Sequence, residues 1–296
     1  MNVPFGLDHP LIAVHDIDAL RQRLISLGFA MTPVGRHPWG TSTSLAMFHG
    51  CLLEIMGVYD ASLTSAHPAG DFRFGRHVHA HLQKREGIAL TALHSLDAGR
   101  DAERAERAGW KVAGRLEFGR DVTLPDGRAG RTKTSLALIP NPNWPRLSFF
   151  LCQQHRPDLI YVPEWMQHPN SVSGYAGSSV MAGPEDTAAI SRHLSTIYGA
   201  PEAIEGGVAF DTGNGALRVL TPAAIETRYG ALSPALGTQA APAIVALDLV
   251  YEDEARLAAC LDASGLAYRQ DGVRYWLSDA ALTGNTVLAF GPRHGA

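Results

Sequence analysis

The sequence predicts an α+β protein assembled from four copies of one strand–helix–strands unit, arranged as two domains. Three observations carry this expectation. An apolar run followed by acidic residues, an amphipathic helix and a closing glycine recurs four times. Tight-turn signals follow the helices, and the chain has 296 residues, enough for two domains of ordinary size.

The first copy reads Pro10–Val14, then Asp16 and Asp18, a helix through Leu20, Leu24 and Leu27, and Gly28. The second has Ile88–Leu93, Asp97, a helix bearing Ala102, Ala105 and Ala108, and Gly109. The third runs Ser179–Ala182, Glu185-Asp186, Ile190, Leu194, Ile197 and Gly199, and the fourth Ile244–Val250, Glu252-Asp253, Leu257, Leu261 and Gly265. At each helix start a carboxylate can accept the orphan N–H groups, and at each end glycine can take a left-handed cap. Leu124-Pro125-Asp126-Gly127 and Thr212-Gly213-Asn214-Gly215 are hairpin signals between apolar runs. Each unit is therefore one strand, one helix and two or three antiparallel strands, and units must pair to cover their sheets. The boundary falls in Pro157–Trp165, where prolines and aromatics interrupt the periodicity, giving domains 1–165 and 166–296.

Composition narrows the function. Hydrophobic residues make up 46% of the chain and the formal net charge is −4, which excludes global disorder and leaves no basic stripe for nucleic acid. No apolar run approaches the roughly 18 residues of a membrane helix. The opening Met1–Gly6 has no basic segment leading into an apolar core, so a cytoplasmic protein is expected, and the arginine-dominated basic charge suits a GC-rich bacterial genome. Cys51, Cys152 and Cys260 are widely spaced in apolar runs and read as buried, inert thiols. Phosphate-binding glycine loops, nucleophile elbows and zinc-protease helices are missing from the sequence, so no nucleotide cofactor is expected.

The stretch Leu7-Asp8-His9-Pro10-Leu11-Ile12-Ala13-Val14-His15-Asp16-Ile17-Asp18-Ala19-Leu20 resembles the opening strand and helix of glyoxalase-like proteins in the vicinal oxygen chelate superfamily. Leu147–Pro157, followed by Gln167-His168-Pro169-Asn170, is similar to a segment of the glyoxalase-like domain branch. The resemblance implies tandem βαβββ units curled into two half-open barrels. It also implies a cup that often holds one divalent metal, Zn, Ni, Mn or Fe, on which the vicinal oxygens of a small substrate chelate.

Metal-using relatives draw a His or Gln from the first strand of a unit and a Glu or His from the last. His9 and Glu54 match these positions, so the resemblance assigns both to a metal and makes Glu54 the catalytic proton carrier. Aligned helix starts put Ile88, Ser178 and Val245 where His9 stands, none of them a good ligand, so the remaining donors must come from the N-terminal half. His155 is the leading third ligand, ahead of His94, Gln153 and Gln154. His77, His79 and His81 would share one face of a strand, yet beside Lys84-Arg85 they read better as solvated surface. His168 and Asn170 suit a structural turn.

Arg115, Arg120, Arg128 and Arg131 surround the Pro125-Asp126-Gly127 turn, and Arg131 is the one assigned to a substrate carboxylate. Trp39, Trp144 and Trp165 either form apolar walls of the cup or pack between units, and Trp39 and Trp144 are assigned to the walls. The expected function is a lyase or isomerase acting on a small oxygen-rich molecule. The alternative is a metal-free binding or sequestering protein using the same cup, and a homodimer is compatible with either.

Overall fold

A computed structural model shows two eight-stranded sheets of identical topology, and it describes residues 5–231, 233–237 and 241–293. Residues 1–4, part of the opening read for a leader, lie outside the described residues.

The N-terminal half runs β1 (Leu7–Ala13), α1 (Ile17–Ser26), β2 (Gly35–Arg36), β3 (Thr41–Phe48), β4 (Cys51–Val58) and α2 (Phe74–Leu82). It continues with β5 (Gly87–His94), α3 (Ala98–Arg107), β6 (Gly114–Phe118), β7 (Asp121–Thr123), β8 (Ala129–Arg131), β9 (Thr134–Ile139) and β10 (Phe149–Gln154). The sheet order is β2-β3-β4-β1-β5-β10-β9-β6, so two βαβββ units meet along the antiparallel β1–β5 seam. β7 and β8 form a separate hairpin that extends beyond the sheet, turned by the predicted Pro125-Asp126-Gly127.

The C-terminal half repeats the plan with β11 (Val172–Met181), α4 (Pro184–Tyr198), β12 (Glu202–Ile204), β13 (Gly207–Asp211), β14 (Ala216–Leu220), α5 (Pro222–Tyr229) and α6 (Pro234–Gly237). It ends with β15 (Ala243–Tyr251), α7 (Glu254–Ser264), β16 (Tyr268–Asp271), β17 (Arg274–Leu277) and β18 (Val287–Pro292), ordered β12-β13-β14-β11-β15-β18-β17-β16. These are the two half-open barrels of paired units that the resemblance implies. No helix among the described residues is long and apolar enough to cross a membrane.

The caps follow the sequence signals in three units. Asp16, Asp97 and Asp253 each accept backbone N–H bonds at the start of α1, α3 and α7. In the third unit Gly183 is the cap and Pro184 the first helical residue, ahead of the acidic pair. That shifts the alignment: Gly177, rather than Ser178, holds the place of His9, because Leu11 and Ser179 sit at the same bulged register in the two seams.

Strand alternation divides the burial. Leu53 and Ile55 of β4 and Phe149 and Leu151 of β10 face a core shared with α1, α3, α4, α7 and the matching face of the second sheet. Leu52, Glu54 and Met56, and Phe150, Cys152 and Gln154, face the concave side. Cys51 and Cys152 are buried and Cys260 half-buried, all three free; burial pushes the Cys51 thiol up to about 12, as inert thiols should behave.

The segment 155–171 connects the halves and covers the mouth of the first cup. Ile160 packs on Leu45, Met47 and Leu52, with Trp165 alongside, and Leu159 and Val162 meet the hairpin at Leu124. His168 pins this strap: its Nδ1 accepts from the Ala30 N–H at 2.9 Å and its Nε2 donates to the Met47 carbonyl at 2.8 Å. Asn170 donates to the Leu27 carbonyl at 2.8 Å and accepts from the Val172 N–H at 3.0 Å. Both residues thus serve the structural turn expected of them.

Candidate active site

His9 is the centre of a buried line of titratable groups. A register shift between Leu7 and His9 in the β1–β5 pairing turns Asp8 out of strict alternation, so two adjacent side chains reach each other. His9 Nδ1 lies 2.9 Å from Asp8 Oδ1 and His9 Nε2 lies 3.1 Å from Glu54 Oε2. Asp8 Oδ2 is 3.2 Å from His94 Nδ1, and Thr43 Oγ1 donates to Glu54 Oε1 at 2.5 Å. The side chains of Asp8, His9, Glu54 and His94 are all less than a tenth exposed.

Burial alone would drive each of these groups neutral, and their neighbours overrule it. Desolvation lowers the His9 imidazole, but the charge and hydrogen bond of Asp8, then Glu54, raise it from 6.5 to about 10. Asp8 resists the upward push of burial through His9 and His94 and stays well below the usual carboxylate range. Glu54 is likewise raised by burial and pulled down more strongly by His9, with His37 and Thr43 adding to the pull. The resident state at neutral pH is an imidazolium held between two carboxylates.

These groups open onto a cavity of about 640 Å³ on the concave face of the first sheet. Its walls are largely apolar, with Leu45, Met47, Leu52, Phe118, Phe150 and Trp165 among them. Polar side chains beyond the His9–Glu54 pair punctuate them, His37, Arg120, Gln154 and Thr134 along the wall and the carboxylates of Asp121 and Glu164 also lining the cavity. Such a lining, an apolar shell with few polar points, is the usual form of a small-molecule site. His37 stacks on Trp39 at 4.8 Å and bonds Thr41 Oγ1 at 3.0 Å; burial, then the Arg120 charge, push it down to about 4, so it is neutral at pH 7.

Of the residues expected from sequence, the cavity brings together His9, Glu54, Trp39, Trp165, Gln154 and Arg120, and it leaves out the leading third ligand, the assigned arginine and one assigned tryptophan. His155 follows β10 out of step with the inward-facing Cys152 and Gln154, is exposed, and lies 2.8 Å from Ser135 Oγ. Arg131 pairs with Asp121 at 2.7 Å in solvent. Trp144 donates to Asp186 at 3.0 Å, packing against α4 between the halves instead of lining the cup. His77, His79 and His81 lie on helix α2, not on a strand; His77 lies 2.9 Å from the Ala89 carbonyl and His81 is buried, so they are neither a ligand face nor wholly solvated.

His37 was missed, and Arg120 was among the four candidate arginines but was not the one assigned to a substrate carboxylate. His37 lies in a turn with no periodicity to mark it. Arg120 stood among four similar arginines, and the separating signal is Gly119, where a Cβ would come within 2.2 Å of the Thr132 carbonyl, fixing the chain direction at that point.

The donor set can be tested against a divalent ion. His9 Nε2 and Glu54 Oε2 are spaced like two adjacent donors on one ion, about 3 Å apart for bonds of about 2.1 Å, and Asp8 orients the imidazole as an outer carboxylate does in metal sites. A third donor does not complete the set. No three His, Cys, Asp or Glu side chains among the described residues are grouped to hold a metal, and the Gln154 oxygen already accepts from Thr134 at 2.7 Å. The residues therefore do not make up the expected three-ligand site.

The C-terminal cup holds different chemistry. Asp248 takes the place of Ala92, and Arg218 that of Glu54. Arg218, Arg228 and Arg274 converge on Asp248 at 2.7, 3.4 and 3.2 Å, and Tyr229 of α5 donates to it at 3.0 Å and lies 2.8 Å from Ser179 Oγ. α5 and α6 close the remaining face with Ile225, Tyr229 and Leu236. The described part of this sheet carries no histidine.

Comparison with known proteins agrees with this architecture. A family model described as a glyoxalase-like domain matches residues 7–196. Among solved structures, a hypothetical protein from Staphylococcus aureus superposes with a TM-score of 0.68 at 13% identity, covering 97% of this chain and 98% of that one. A mutant of 4-hydroxymandelate synthase from Streptomyces coelicolor gives 0.60 at 11% identity, covering 99% and 94%. A xylose isomerase-like TIM barrel/4-hydroxyphenylpyruvate dioxygenase fusion protein gives 0.58 at 11%, covering all of this chain and 50% of that one. At these identities the likeness is one of fold. No curated protein sequence matches the chain.

Proposed function

The chain belongs to the family of glyoxalase-like domains, within the vicinal oxygen chelate superfamily, and from that premise we propose that it is a lyase or isomerase that moves a proton beside a carbonyl of a small oxygen-bearing substrate. The observation that carries this reading is the imidazolium of His9 held against the ionised Glu54 at the wall of an otherwise apolar cavity. Glu54 accepts the proton from the substrate carbon, and the electron pair moves onto the carbonyl oxygen. As Glu54 takes that proton its charge is lost, and the His9 Nε2–H it had held turns to donate a hydrogen bond to the oxyanion, while Asp8 keeps hold of Nδ1. The apolar walls and the strap keep water from competing for that charge.

Divalent metals are common in the superfamily, and a Zn, Ni, Mn or Fe ion would take His9 and Glu54 first. The set lacks a third donor, so the reading places no step on a metal. A small-molecule partner is expected.

The test is deuterium incorporation from D₂O into a panel of aldehydes, ketones and 2-hydroxycarbonyl compounds, followed by NMR on protein whose metal content has been measured. Wild type should exchange a proton with less than a tenth of an equivalent of metal, and Glu54→Gln should lose at least about 100-fold. One metal per chain, lost in both His9→Ala and Glu54→Ala, would replace this reading with chelation. Saturable binding of a panel member without exchange would leave the sequestering protein as the function.

A further inference from the structure

Arg120 is the cation in the cup that the protein itself does not neutralise. It sits between β6 and β7, and its backbone is clamped from both sides: its N–H donates to Thr132 Oγ1 at 2.9 Å and its carbonyl accepts from the Thr132 N–H at 2.8 Å. Its guanidinium makes no hydrogen bond or ion pair with any described residue, whereas Arg128 and Arg131 of the same hairpin each have a carboxylate partner. A Cβ on Gly35 would stand 2.9 Å from Arg120 Nη1, so the missing side chain at position 35 makes room for this group at the cavity wall.

Its position relative to the reacting pair is informative. Glu54 and Arg120 feel each other's charge, yet they are too far apart to form an ion pair. Gly35 pairs with Thr43, the residue that hydrogen-bonds Glu54, which places the guanidinium on the β2 side of the carboxylate. The apolar group of Leu45, Met47, Leu52, Ile160 and Trp165 lies towards the other end of β3 and under the strap. A ligand lying along the cup meets a fixed cation, then the acid–base pair, then an apolar chamber.

We propose that the substrate is a carboxylate with an apolar body, its carboxylate bound to Arg120 and its reactive carbon beside Glu54. This deepens the proposed reaction by naming its substrate class, and it rests on that reading for the orientation only. A planar two-oxygen anion matches the guanidinium fork, and in an apolar enclosure the pair is screened little by water. The negative charge also explains why Arg120 and Glu54 are kept apart: the substrate anion fits on the cation without sharing it with the base.

The test compares two probes of equal shape, 4-phenylbutanoate and 4-phenylbutanamide, by calorimetry and by the fluorescence of Trp39 and Trp165. Wild type should bind the carboxylate at least about tenfold more tightly than the amide. Arg120→Gln should bring the ratio close to one and Arg120→Lys should retain part of it. Gly35→Ala, which pushes on the guanidinium without removing it, should reduce the preference. Equal binding of the two probes, no measurable binding of the carboxylate at millimolar concentration, or a preference that survives Arg120→Gln in folded protein would each overturn the proposal. Glu54→Gln should keep the carboxylate preference; a preference kept there while no compound exchanges deuterium would refute the proton-transfer reading and leave the anchor standing.

Discussion

Glu54 and Arg218 occupy the same place in the two sheets. Glu54 lies opposite Leu11 on β1, Arg218 lies opposite Ser179 on β11, and Leu11 and Ser179 themselves precede the same register shift at the seam with β5 and β15. One backbone position thus carries a carboxylate that faces an open cavity in one half and a cation of an ion cluster in the other. The repeat supplies geometry twice, and side chains decide which copy can receive a ligand.

Asp248 holds three arginines, so its loss should be felt throughout the C-terminal half. Asp248→Asn is expected to destabilise the protein by about 1–3 kcal/mol, because three crowded, partly exposed cations lose their shared counter-charge and solvent screens only part of the loss. Urea unfolding measures the loss. Binding of 4-phenylbutanoate to the folded variant should be unchanged, since the cluster is remote from the first cup.

The charge on His9 gives a definite pH signature. Its value in the folded protein is raised from 6.5 to about 10, so the stability it contributes is fully present below about 6.5 and fades as pH rises through about 10. Histidine NMR should show one imidazole still protonated at pH 8.5. In Asp8→Asn that resonance should titrate at a lower pH, and the alkaline loss of thermal stability should begin earlier. An imidazole population titrating entirely near 6.5 in wild type would contradict the array.

On the acid side Glu54 behaves oppositely. Its folded value is depressed, against the push of burial, so the stability it adds is present above about 4.5 and lost as pH falls through the lower folded value. Thr43→Val removes the 2.5 Å hydrogen bond to Glu54 Oε1 and should cost about 1–3 kcal/mol at pH 7. The same substitution should cost less once pH falls below the folded value of Glu54, a difference that denaturant curves taken down an acid pH series resolve.

Gly28 tests the joint between the halves. Its φ is +84°, and a Cβ there would meet Cys260 Sγ at 2.7 Å and Asn170 at 2.9 Å. Gly28→Ala should cost more than about 2 kcal/mol in thermal unfolding. Adding Cys260→Ala should restore only part, because the left-handed backbone and the Asn170 clash persist.

Much of the fold is legible in the sequence because each unit repeats the same physical signals: alternating apolar strands, an aspartate cap in three of four helices, and glycine at the helix ends. His9 and Glu54 are picked out by the resemblance to glyoxalase-like proteins rather than by the repeat, since the other units carry no such residues at those places. What escaped depends on contacts that no local pattern encodes. Asp8 reaches both His9 and His94 through an irregularity in strand pairing. His37 and Arg120 come from irregular segments about 80 residues apart that meet only when the sheet curls. Histidines 77, 79 and 81 alternate as on a strand, but the apolar spacing of Phe74, Val78 and Leu82 is helical, and it prevails because those side chains fill the floor of the cup.

The strap from 155 to 171 is roof and tether at once. Ile160 and Trp165 cover the chamber, while a few residues later His168 and Asn170 fasten the same chain to β3 and to the end of α1, immediately before it enters β11. Uncovering the cup therefore pulls on the first strand of the opposite sheet. The roof of the first cup is thus anchored in the opposite half of the protein, through the same stretch of chain that closes the chamber.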